Sequence, residues 1–128
     1  MSGVQPTHIA QVAIVVRELE RAKRFYRDVL GLPHLFDAPP GLSFFQCGET
    51  RLMLSRPEGA ETAGNSILYY GVADAETAYR RLSAEGVTFE EEPKRIATVG
   101  GKDIWLAIAR DSEGNLIGLM SERDARAG

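Results

Sequence analysis

Few side chains in this chain could make or break bonds. There are two histidines, His8 and His34, and one cysteine, Cys47. Cys47 sits in a β-rich run with no histidine or helix N-terminus placed to lower its pKa, so it reads as a buried structural thiol. His34 falls in an expected loop after the first helix and reads as a solvated side chain. The remaining candidates for acid–base work are Tyr69 and Arg51, with Glu49, Glu122 and Asp103 expected near a rim. No histidine joins them and no carboxylates pair, so a proton-transfer site near neutral pKa is poorly served. Recognition is better provided for. Trp105 offers a broad flat indole with one N–H donor, suited to stacking on a planar ligand or to filling a core. Arg51 offers a guanidinium that needs an anionic partner if buried, or that reaches solvent along its aliphatic stem.

The elements that must position these residues come from an internal repeat. Residues 11–32 and 67–87 share one pattern: an apolar strand, an acid opening a helix, an amphipathic helix and a glycine near its end. At a shift of 56 positions Val16 falls on Val72, Glu18 on Asp74, Glu20 on Glu76, Ala22 on Ala78 and Arg24 on Arg80. A duplicated unit predicts two similar half-sheets facing each other across a cavity.

The run Val12–Val16 suits a strand buried on both faces. Leu19, Ala22, Tyr26 and Val29 or Leu30 recur at helical spacing, and Gly31 and Pro33 stop that helix. Residues 34–41 read as a loop. Residues 42–47 and 50–55 flank Gly48-Glu49 and read as a hairpin. Residues 56–65 have turn chemistry and no apolar pattern, which marks a linker. The second copy has a strand over 66–73, Asp74 as N-cap, a buried stripe of Ala75, Ala78, Tyr79 and Leu82, and a stop at Gly86. Strands over 104–109 and 115–120 form a last hairpin, and the polar tail from Ser121 is expected to fray. The second copy is longer between helix and final strand. The excess lies in 91–103, with Lys94, Arg95, Lys102 and Asp103, and reads either as a flap over the cavity or as an idle surface loop.

Composition excludes several classes. The chain has 128 residues, 44% of them hydrophobic and 26% charged, with a net charge of −3. The acidic balance argues against nucleic acid as a partner. Arg17, Arg21, Lys23, Arg24 and Arg27 are interleaved with Glu18, Glu20 and Asp28, as on a solvated helix face. A single cysteine allows no intrachain disulfide. No apolar run approaches the roughly 20 residues that span a bilayer, and the N-terminus lacks a signal-peptide pattern, so no membrane association and a cytoplasmic location are expected.

Two stretches carry a family likeness. Phe25-Tyr26 with Leu30-Gly31-Leu32, and Asp111-Ser112-Glu113-Gly114-Asn115, resemble the opening and the closing hairpin of the vicinal oxygen chelate superfamily, which includes glyoxalase I, extradiol dioxygenases and bleomycin-resistance proteins. The likeness covers nearly all of residues 8–122. It implies an α+β fold of two tandem βαβββ modules in one domain (8–55 and 66–122), forming a cupped mixed β-sheet with helices outside. A homodimer is also implied. Family enzymes hold a divalent metal with four side chains, and by this resemblance the four positions fall on Gln11, Met53, Ile67 and Gly118. Only Gln11 carries an oxygen donor, and a lone amide is weak for hard and borderline metals alike. No metal and no other cofactor is therefore expected.

Strand alternation from those positions predicts the cavity lining. Ala13 and Val15 follow Gln11, and Arg51 and Ser55 follow Met53. Gln46 lies opposite Arg51, and Phe44 opposite Met53. Tyr69 and Gly71 follow Ile67, and Leu116 and Met120 follow Gly118, with Trp105 and Ala107 expected on the same face. The ligand-binding set is thus Gln11, Phe44, Gln46, Arg51, Met53, Ile67, Tyr69, Trp105 and Gly118, apolar and aromatic walls with a few polar groups. The expected function is metal-free binding of a planar or aromatic small molecule in the cup between modules. A lyase, isomerase or dioxygenase-like enzyme of the same superfamily is the alternative, with no catalytic residue assigned. A third reading is a filled cup in a dimeric scaffold.

Overall fold

β1 (Gln11–Val15) is the apolar strand of the first repeat, and it leads directly into α1 (Leu19–Arg24). The computed structural model describes residues 3–4, 6–56 and 66–125. The expected linker 56–65 lies outside the described residues beyond Arg56. The chain divides into two compact units, residues 1–65 and 66–128.

In the first unit α1 passes into a π-helical turn, Phe25–Val29, where the Leu30 N–H reaches the Phe25 carbonyl at 2.9 Å. Phe25 and Tyr26 are both buried there and meet edge to face at 5.1 Å. Three strands follow: β2 (His34–Ala38), β3 (Leu42–Cys47) and β4 (Thr50–Ser55). The sheet order is β1-β4-β3-β2, with β1 parallel to β4 and the other pairs antiparallel.

The second unit has the same plan. β5 (Leu68–Gly71) precedes α2 (Ala75–Ala84), then β6 (Phe89–Val99), β7 (Lys102–Arg110) and β8 (Leu116–Asp124). The order is β5-β8-β7-β6, again with one parallel pair, β5 with β8. The repeat reaches individual hydrogen bonds. Val16 N–H donates to Ser55 O and Val72 N–H to Met120 O, both at 2.8 Å. Each unit is therefore a βαβββ module, and the fold class is α+β.

The two helix starts differ. Asp74 caps α2, its carboxylate accepting from the Thr77 N–H at 3.0 Å and from the Thr77 hydroxyl at 2.8 Å. These bonds hold its carboxyl below the usual range. Glu18 makes no such cap. Aspartate has the short reach this position favours.

One face of each sheet is packed with apolar side chains. Ile14, Phe45, Leu52 and Leu54 lie there in the first unit, together with Ala22 and Tyr26 from the helical segment. Ala107, Ala109, Ile117 and Leu119 do so in the second, with Ala75 and Leu82 of α2. Full burial of one such aliphatic side chain stabilises by roughly 1.5–3 kcal/mol.

Three expectations are corrected. Residues 34–38 form an edge strand rather than a loop, tied by pairs such as Phe36 with Phe44 and Asp37 with Ser43. Residues 91–103 are not a loop. They are the outer part of the β6–β7 hairpin, closed by Gly100-Gly101 at φ 59° and 79°, the left-handed geometry of a tight two-residue hairpin turn. β6 is an irregular edge strand with three register shifts, which is where charge runs and Pro93 are tolerated. The tail does not fray at Ser121. β8 continues to Asp124, which pairs with Lys102 at 2.8 Å.

Candidate functional site

In the first unit the strand register places Gln11, Ala13, Arg51, Met53, Phe44, Gln46 and Phe36 on the sheet face opposite the buried apolar set. The side chains of Gln11, Arg51, Met53, Phe44 and Phe36 form a connected group. Arg51 Nε donates to Gln11 Oε1 at 2.7 Å, and Gln11 Nε2 lies 4.0 Å from Met53 Sδ. The Arg51 guanidinium carbon stands 5.6 Å from the centre of the Phe44 ring. Phe44 stacks on Phe36 with centroids 4.4 Å apart and planes 21° apart. Gln46 turns its amide N–H to the Gly48 carbonyl at 2.6 Å. Phe44 is buried under these neighbours, whereas Phe36 remains 45% exposed. Five expected site residues of this unit thus share one face, and Phe36 joins them. Phe36 was missed because its segment reads as a loop. The signal available was its place in an apolar pair, Leu35-Phe36, bounded by turn residues.

In the second unit the corresponding face carries Tyr69 and Gly118, which are direct partners across β5 and β8. A Cβ at residue 118 would sit 2.5 Å from Tyr69 Cδ2, so the tyrosine ring lies against the bare glycine backbone. This is an aromatic side chain filling the space that a glycine leaves in a sheet. Ile108 and Leu106 share the face, opposite Gly118 and Met120. Ile67 immediately precedes β5 and is 42% exposed, and Tyr69 is 53% exposed.

Trp105 and Ala107 are on the other face, contrary to expectation. Trp105 pairs with Ser121 and Ala107 with Leu119. The Ser121 hydroxyl accepts from the Ala75 N–H at the start of α2, so this is the helix-covered side. Arg123 stacks its guanidinium on the Trp105 ring at 4.3 Å. The error is one of parity. A one-residue difference in hairpin register moves every side chain of a strand to the opposite face, and nothing local marks the register of the 111–115 loop.

A polar cluster sits beneath the edge strand of the first unit. Asp37 accepts from Lys23 Nζ at 2.7 Å, Ser43 Oγ at 2.7 Å and His34 Nε2 at 2.8 Å. Lys23, then Ser43, then His34 hold its carboxyl far below the usual range, and Lys23 is raised in return. His34 is thus a strand residue hydrogen-bonded to Asp37, not a solvated loop histidine. Ser43 donates to this carboxylate, whose lowered pKa makes it a poor base for activating a hydroxyl. The cluster fastens β2 to β3 and to α1. Cys47 is half-buried, and desolvation pushes its thiol up, away from the thiolate.

The metal implied by the resemblance does not fit these residues. Among the described residues no three His, Cys, Asp or Glu side chains group to hold an ion. The one oxygen donor, Gln11 Oε1, is taken by a guanidinium, itself a cation. Gly118 has no donor, and a side chain there meets the Tyr69 ring.

Comparison with known proteins agrees with this architecture. The Glyoxalase/Bleomycin resistance protein/Dioxygenase superfamily profile matches residues 8–119. The uncharacterized protein YurT of Bacillus subtilis is 28% identical over 130 residues, covering 89% of this chain and 98% of YurT. Lactoylglutathione lyase from Agrobacterium tumefaciens superposes with a TM-score of 0.75 at 24% identity, over 91% of this chain and 94% of that one. The V. Pseudocholerae mobile-metagenome protein VPC_CASS1 superposes at 0.76 with 20% identity, over 94% and 98% of the two chains. At these identities the structural likeness speaks for the fold alone. The repeated βαβββ unit and the match across both copies lead to one conclusion: this chain belongs to the Glyoxalase/Bleomycin resistance protein/Dioxygenase superfamily.

Proposed function

We propose that this protein binds a planar or aromatic small molecule on its open sheet faces, without a divalent metal. The observation that carries the reading is the linked group Gln11–Arg51–Phe44–Phe36. Two stacked rings, one of them exposed, supply flat apolar area, and a fixed guanidinium supplies direction. Few well-placed polar groups among apolar ones are the usual make-up of a small-molecule site. Tyr69, lying on Gly118, offers a second exposed ring. Assembly as a homodimer belongs to the same proposal. The exposed Ile96 and Val99 of edge strand β6 are surfaces that a second copy would cover.

Two measurements test it. Elemental analysis after purification without chelator is expected to give well under one Ni, Zn, Mn or Fe per chain. A thermal-shift panel of neutral and charged aromatic compounds is expected to contain stabilisers, since a ligand at 100 times its Kd adds about 2.7 kcal/mol to the folded state. A stoichiometric metal, or a panel with no stabiliser, overturns the reading.

A further inference from the structure

We infer that the open face of the first unit is an anion subsite, in which Arg51 takes the carboxylate of a planar aromatic acid. The inference rests on the binding function proposed above and adds the ligand's charge to it. Three observations carry it. First, Arg51 is held in place by a neutral partner. Its Nε is bonded to the Gln11 amide oxygen, which leaves the two terminal nitrogens for another acceptor. An arginine fork presented this way matches the two oxygens of a carboxylate.

Second, that positive charge is unbalanced. Arg27, Arg95 and Arg110 each meet a carboxylate within 4 Å, while among the described residues Arg51 meets none. The other side chains that the register puts on its face, Gln11, Ala13, Phe36, Phe44, Gln46 and Met53, are all uncharged. One fixed positive charge selects one negative charge.

Third, the guanidinium stands beside the stacked pair Phe44 and Phe36, and Phe36 is 45% exposed. A planar ring with an attached carboxylate can lie along this aromatic surface while its two oxygens face the fork. An aliphatic anion would leave the rings uncovered, and a neutral aromatic would leave the fork unmatched.

The test is calorimetry on the whole protein with 2-naphthoate and its neutral isostere 2-naphthamide. The wild type is expected to bind the acid about fivefold more tightly than the amide, as befits a partly exposed charge pair. R51M should erase the preference and R51K should keep part of it. Q11E is the sharper variant. It leaves the guanidinium in place but gives it an internal carboxylate, and it too should erase the preference with an unchanged circular dichroism spectrum. Equal affinity of the wild type for acid and amide overturns the inference while leaving the proposed binding function standing. So does a preference that survives in both R51M and Q11E. Binding of neither probe also overturns it, and the thermal-shift panel then decides the parent reading separately.

Discussion

In the first unit the open sheet face carries Gln11, Arg51 and Gln46 among Phe36, Phe44 and Met53. In the second its centre carries Tyr69, Gly118, Leu106, Ile108 and Met120, and charge appears toward the ends, at Arg110 and Glu122. The helix-covered faces share an apolar centre, with the Asp37–Ser43 cluster toward the edge of one and the Trp105–Arg123 stack in the other. Ile14, Leu52 and Leu54 on one side, and Ala107, Ile117 and Leu119 on the other, are uniformly apolar and buried. One face of each sheet is constrained by packing, since burial there is what makes the module fold. The other face is free to vary, so its chemistry is the place to look for function. Leu54 and Leu119 stand at equivalent points, each one residue after the strand partner of Ala13 or Tyr69.

The largest expected effect tests the shared half of this contrast. Leu54→Ala and Leu119→Ala each remove a side chain that is at most 1% exposed, and each should lower unfolding free energy by about 3 kcal/mol. Chemical denaturation measures both. A difference of more than about 2 kcal/mol between them would show that the two packed faces are not equivalent, given the usual spread of such substitutions.

Gly118→Ala tests the divergent half. The new methyl group collides with the Tyr69 ring, so the ring must swing aside, at about 1.5 kcal/mol for overpacking with an exposed neighbour. Tyr69→Ala should relieve most of that loss. A double-mutant cycle with no coupling between the two positions would contradict the described contact.

Asp37→Asn should cost about 1 kcal/mol, because the carboxylate binds three donors yet is half-exposed. Its carboxyl is held far below the ordinary aspartate value of about 3.9, so this stabilisation is complete above that pH and is lost as the pH falls below it. Wild type and variant should therefore differ equally at pH 7 and pH 5 and converge below about pH 4. A difference that persists unchanged in acid would assign the effect to something other than the charge. Lys102→Ala removes an exposed pair with Asp124 at the hairpin end and should leave the denaturation midpoint nearly unchanged.

Much of the architecture was readable from periodicity and punctuation. Both helices, the Gly48-Glu49 hairpin and the two-copy order come from apolar spacing and from residues such as Gly31, Asp74 and Gly86. Two of the edge strands were not readable. β2 and β6 contain Asp37 and Pro93 and the run from Glu90 to Arg95, and an edge strand needs little apolar content because solvent covers its outer side. Missing β2 hid both Phe36 and the Asp37 cluster, whose members lie on three separate elements and carry no local pattern. On the site face the reading succeeded where the hairpin turn was short. Across Gly48-Glu49 the register is set by the two-residue turn, and Gln46 does face with Arg51, and Phe44 with Met53. Across residues 111–115 the longer loop leaves parity open, and Trp105 was placed on the wrong side.

Backbone amide resonances followed during titration test the central claim most directly, that the open face of the first unit meets its ligand through Arg51 and the stacked rings rather than through a metal. Added 2-naphthoate is expected to shift Gln11, Phe44, Arg51 and Met53 saturably, while equimolar zinc leaves them unmoved. Saturable zinc shifts at Gln11, Met53 and Gly118, with 2-naphthoate silent at all four residues, would contradict it.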